Sequence, residues 1–127
     1  MRARVAHIKQ FVPQIILHCC GRTIEIMEDL IACGIDCYQS LQTGAGMAPE
    51  LLCPRYGTRM TFWGGAPVEQ LISGPPGEMR QAVRRCLEAT AAYPGFIFGP
   101  SHSIAYGTQY DNFMAMLDEF ERGRDRL

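Results

Sequence analysis

Short apolar runs alternate along this chain with longer stretches of helical period, and Gly or Pro separates one from the next. That is the pattern of βα units on a parallel sheet, and four units can be counted. The Ile- and Leu-rich run Gln14 to Cys20 is too short for a buried helix and predicts a strand. Gly21 leads from it into a predicted helix over Thr23 to Cys33, where Ile24, Met27, Leu30 and Ile31 share a face and Gly34 supplies a left-handed stop. Ile35 to Leu41 predicts a second strand, followed by a loop through Gly44 and Gly46 and a short helix opened by Pro49 and closed near Gly57. Met60 to Trp63 predicts a third strand ending in Gly64 and Gly65, with Phe62 and Trp63 in the core. A helical turn over Pro67 to Ile72 precedes the Gly74 to Gly77 break and a helix from Glu78 to Ala92, with Met79, Val83, Cys86, Leu87 and Thr90 on one face. Phe96 to Gly99 is the fourth predicted strand, and a last helix begins at Tyr110 or Asp111 with Phe113, Leu117 and Phe120 inward. Ala3 to Phe11, ahead of all four units, reads as a helix without an N-cap.

Composition adds bounds to that pattern. With 127 residues, 47% apolar and a net charge of −1, the chain reads as one globular domain over residues 1–127. No apolar run reaches the roughly 18 residues of a membrane span, and no secretory cleavage signal follows the basic start, so a cytoplasmic location without membrane partners is expected. Interspersed charge leaves no footprint for nucleic acid. The six cysteines sit mostly inside periodic apolar segments, which predicts reduced core thiols or metal ligands rather than a disulfide scaffold.

Candidate chemistry gathers at predicted strand ends, where parallel α/β barrels place their sites. His18 and Cys20 are two apart at the end of the first strand, so the pleat points both to one face while Leu17 and Cys19 point to the other. One imidazole and one thiolate suit zinc, which in catalytic sites takes three protein ligands. His102, after the fourth strand, is the best third ligand; Cys37, or a ligand from outside this chain, remains an alternative. Gln39, Gln42 and Gly46 read either as polar contacts at the mouth or as solvated loop. Gly64 and Gly65 read either as a close backbone approach to a ligand or as a tight turn. His7 reads as a surface residue, and the pair Met114 and Met116 as helix packing.

The ordered series His18-Cys19-Cys20-Gly21, Gly34-Ile35-Asp36, Leu41-Gln42, Met47, Pro49-Glu50-Leu51-Leu52, Tyr56-Gly57, Thr61-Phe62-Trp63-Gly64-Gly65 and Gly99-Pro100-Ser101-His102 resembles the C-terminal half of the uroporphyrinogen decarboxylase superfamily. The resemblance covers nearly the whole chain and implies a partial TIM-type (β/α) barrel, an α/β fold of about four C-terminal βα units. The superfamily holds cofactor-independent porphyrinogen decarboxylases and zinc-dependent methyltransferases that use corrinoid proteins and thiols. In the methyltransferase branch an H-x-C-G motif, matched by His18, Cys20 and Gly21, supplies two zinc ligands and a later Cys the third. Here His102 stands at that third position, so two nitrogens and one sulfur replace one nitrogen and two sulfurs.

The resemblance thus implies zinc-dependent methyl transfer to a thiol or a corrinoid, with His18, Cys20 and His102 as metal ligands, His102 catalytic, and Gln42, Gly64, Gly65 and Ser101 against a small-molecule substrate. Uroporphyrinogen decarboxylation in porphyrin (heme) biosynthesis is the alternative, in which His102 matches a histidine that meets the porphyrinogen. An inactive fragment or split subunit is the third reading. An eight-unit barrel needs about 250 residues, so the chain is expected to pair its open edges with an N-terminal half-barrel chain or with a second copy, and to meet a corrinoid protein as partner.

Overall fold

The computed structural model describes residues 1–125 as helices alternating with strands. Helix α1 (Arg2–Ile8) precedes β1 (Ile16–His18), a 3-10 turn (Ile24–Ile26) and α2 (Met27–Cys33). Strand β2 (Cys37–Gln39) leads to a second 3-10 turn (Thr43–Ala45) and α3 (Pro49–Tyr56), β3 (Thr61–Ala66) to α4 (Val68–Ser73) and α5 (Pro76–Thr90), and β4 (Phe96–Pro100) to α6 (Tyr110–Arg124). The four strands lie in sequence order and every pair is parallel. The predicted α/β architecture of four βα units is therefore the observed one. Gly34 ends α2 at φ +91°, as its position predicts. All six cysteines are free thiols.

Register sorts the side chains into two faces. Leu17, Tyr38, Phe62 and Phe96 pair across the sheet in one row and meet the helices, where Tyr38 and Phe62 are fully buried. The next row, His18, Gln39, Trp63 and Ile97, faces the other way. No helix of the described residues covers that face, and Ile97 keeps 45% of its surface exposed. Trp63, expected in the core beside Phe62, is instead half-buried on this open face.

Three further expectations change for identifiable reasons. Strand β3 does not stop at Trp63; it continues through Gly64 (φ +145°) and Gly65 (φ +111°) to Ala66. A Cβ at position 65 would stand 2.4 Å from Cys86 Sγ, and one at position 64 would stand 3.1 Å from Leu41. The two glycines let β3 pass close beneath α5 and the chain leaving β2. The helix expected from Glu78 starts at Pro76, because proline fits the first turn where no N–H is needed. In α6, Leu117 points outward at 37% exposure. The buried face runs through Asn112, Ala115, Met116 and Glu119 instead, with Phe113 and Phe120 packed beside it and Met114 outside. Glu119 can sit there because Arg84 Nε (2.6 Å) and Arg80 reach it from α5.

Two measurements test this packing. Gly65→Ala should lower the free energy of unfolding by about 1–3 kcal/mol through overpacking. The double variant with Cys86→Ala should lose less than the sum of the two single changes; additive losses in urea titrations would contradict the proposed clash. The hydrogen bonds from Arg84, then its charge, hold the Glu119 carboxyl below the usual glutamate range. With the folded pKa depressed, that stabilisation is complete above the unfolded value of about 4.3 and is lost as pH falls through the folded one. Glu119→Gln should flatten the stability–pH curve in that acid window, read from denaturant midpoints between pH 2 and 6.

Candidate functional site

Three side chains meet at the carboxyl ends of the strands. His18 closes β1, Cys20 follows two residues later on the same face, and His102 lies in the loop after β4. Their ligand-type atoms lie within 4.8 Å of one another, and all three residues are exposed. Cys20 Sγ is 3.4 Å from His18 Nε2. The His18 and His102 rings stand edge to face with centroids 5.6 Å apart.

The second nitrogen of His18 is also committed. Gln39, directly opposite in the register, places its side-chain oxygen against Nδ1. An amide oxygen only accepts, so Nδ1 is the donor of this contact, and Nε2, which faces Cys20, is the nitrogen left to meet a metal ion. Metal-binding histidines are oriented in this way, by a partner on the far nitrogen. Tetrahedral zinc, with bonds of about 2.0–2.3 Å, spaces its ligands roughly 3.4–3.6 Å apart. The His18–Cys20 pair already has that spacing. Two imidazoles and one thiolate are a donor set zinc accepts, so the residues present fit the ion.

A frame of satisfied polar groups surrounds the cluster. Tyr38 hydroxyl donates to the Cys19 carbonyl (2.8 Å) and meets Thr23 Oγ1 at 2.6 Å, which pins the turn carrying Cys20. Burial raises the Tyr38 phenol above its ordinary range, so it stays a neutral donor. Gln42 accepts from the Gly21 N–H at 3.0 Å. Ser101 donates its N–H to the Ala66 carbonyl (2.7 Å), accepts the Val68 N–H on Oγ (3.0 Å), and accepts the Ser40 hydroxyl on its own carbonyl (3.0 Å).

The expected site residues therefore divide. His18, Cys20 and His102 come together. Cys37, the alternative third ligand, starts β2 at the opposite end of the sheet, buried, its thiol pushed up by desolvation and then by the Asp36 charge. Ser101 is 1% exposed and Gly64 and Gly65 are buried, and all three make close contacts within the chain. Gln42 is half-buried at the rim, where its oxygen already holds the Gly21 turn. His7 lies exposed on α1, edge-on to Phe11. Gln39, read from the sequence as a polar contact at the mouth or as solvated loop, has a partner that only strand register reveals, and Ser40 acquires a role that its sequence context did not signal, through a left-handed backbone (φ +88°).

Comparison with known proteins follows the same lines. A methyltransferase from Methanosarcina mazei superposes with a TM-score of 0.77 at 22% sequence identity, over 96% of this chain and 35% of that one. The likeness is one of fold, and the chain spans about a third of that protein's length. No curated protein matches the chain by sequence. The family model for uroporphyrinogen decarboxylase (URO-D) matches residues 1–122. Over nearly its whole length, then, this chain is a member of the uroporphyrinogen decarboxylase family.

Proposed function

We propose that the chain forms the metal-binding half of a methyltransferase that moves a methyl group to a thiol or a corrinoid, with zinc held by His18, Cys20 and His102. The observation that carries this reading is the convergence of one thiol and two imidazoles at the strand ends, with the far nitrogen of one imidazole already engaged. A zinc ion bound there supplies a Lewis acid that keeps an acceptor thiol deprotonated near neutral pH.

The chain's own residues do the rest. Gln39 holds the His18 proton on Nδ1 and so keeps Nε2 available. Tyr38 and Thr23 fix the turn that presents Cys20. Trp63 and Ile97, in register with His18 and Gln39, line the same face with apolar surface. The methyltransferase fold of the Methanosarcina mazei neighbour supports the reading. A small-molecule substrate is the partner it requires, with a corrinoid protein where the corrinoid gives or takes the methyl group.

Decarboxylation of a uroporphyrinogen is the second reading, favoured by the family match and by His102 at the mouth. It uses His102 alone and leaves the His18–Cys20 pairing without a task. Elemental analysis of the purified chain separates the two. The methyl-transfer reading expects close to one zinc per chain, lost in His18→Ala; metal-free protein that binds a porphyrinogen would select decarboxylation. Gln39→Leu, which keeps the shape but removes the acceptor, should weaken zinc binding by about 10–100-fold, read by competition with a chromogenic chelator. Undiminished affinity would show that the contact with Nδ1 contributes nothing to binding.

A further inference from the structure

Ser40 is the one residue other than glycine with a positive φ (+88°) among the described residues. A left-handed conformation costs a residue with a side chain about 1–2 kcal/mol, and persists where the surrounding structure over-determines it. Here the surroundings do so. Ser40 directly follows β2, its N–H donates to the Trp63 carbonyl at 3.3 Å, and it is 1% exposed.

The turn has a geometric consequence. Alternation along β2 would put Ser40 with Tyr38 on the helix side of the sheet. The left-handed backbone brings its hydroxyl to the mouth instead, 3.4 Å from Cys20 Sγ and 3.0 Å from the Ser101 carbonyl. One oxygen thus touches the sulfur that follows β1 and holds the peptide immediately before His102. No other single side chain bridges the two loops that carry the proposed ligands in this way, among the described residues.

We infer that Ser40 is a positioning residue whose hydroxyl sets the separation between Cys20 and His102, so that the two close on a metal ion without further loop ordering. The inference rests on the metal reading above and deepens it. Its hydroxyl proton serves the Ser101 carbonyl, which fixes the root of the His102 loop. Its oxygen limits how far the Cys20 sulfur can swing toward the sheet.

Cobalt(II) titration of the full-length chain tests this, followed by the thiolate-to-cobalt charge-transfer absorption. Ser40→Gly removes the hydroxyl while placing glycine where glycine is favoured, so thermal unfolding should stay near wild type. Its apparent cobalt affinity should fall about 10–100-fold, and amide hydrogen exchange around Ser101 to Ser103 should quicken in the metal-free protein. Ser40→Asn, which also accepts a left-handed backbone, replaces the small hydroxyl by a larger amide and should weaken cobalt in the same direction. Folded Ser40→Gly with wild-type cobalt affinity would overturn the role of Ser40 alone. A wild-type chain that takes up no cobalt and shows no charge-transfer band would overturn the metal reading, and this inference with it.

Discussion

The parallel ladder between β1 and β2 is the constraint on which the rest depends, because it puts His18 opposite Gln39. Side chains alternate along a strand, so a slip of one residue would turn His18 toward the helices and bring Leu17 to the mouth. Backbone hydrogen bonds alone do not prevent such a slip, since a shifted ladder makes as many of them. Burial does. Leu17, Tyr38 and Phe62 form the row against the helices, and Tyr38 and Phe62 are wholly enclosed. At about 1.5–3 kcal/mol for each large side chain kept from water, moving that row to the open face would cost an amount comparable with the whole stability of a small domain. The orientation of the proposed metal ligands is thus fixed by apolar packing on the other side of the sheet.

Packing fixes faces, and polar groups then fix the loops. Each chain segment leaving the sheet is held by a neighbour's hydrogen bond: the Cys20 turn by Tyr38 and Gln42, the segment after β2 by Trp63 and Ser101, and the start of the His102 loop by Ala66, Val68 and Ser40. Buried polar groups are costly when unpaired, so these loops gain definition from the same partners that satisfy them. The result is a rigid rim around three exposed ligand-type side chains. That division of labour is what a binding site on a scaffold needs.

How much of this could be read from residues alone follows from range. The alternation of apolar runs and helical faces is local, and it yielded the four units, the Gly34 stop and the Pro49 start, as observed. The convergence of His18 with Cys20 needed only the pleat, and that of His102 needed only the rule that parallel strands open at one end. Contacts decided by register were out of reach: nothing in the sequence says that Gln39 faces His18 or that Ser40 turns left-handed to meet Ser101. The glycines at 64 and 65 misled for the same reason, since the sulfur of Cys86 that excludes a side chain lies on a helix some twenty residues away. Leu117 shows the limit of hydrophobic identity as a guide to burial. Glu119 displaced it because Arg80 and Arg84, presented by the facing helix, made a charged side chain the better-matched occupant.

The six free thiols differ in how far the fold buries them. Burial acts on them through solvation. Desolvation, reinforced by a nearby carboxylate, raises the Cys37 thiol and pushes Cys53 up to about 11, and with Cys53 also nearby drives Cys86 higher still. A thiol so shifted offers almost no thiolate at neutral pH, and the thiolate is both the nucleophile and the metal ligand. Cys19 turns into the packing against Tyr38 and its neighbours, on the opposite side of the pleat from Cys20. Cys20 is the most exposed of the six and stands beside two imidazoles. The fold thus withholds water from Cys37, Cys53 and Cys86 and leaves the Cys20 sulfur at the mouth.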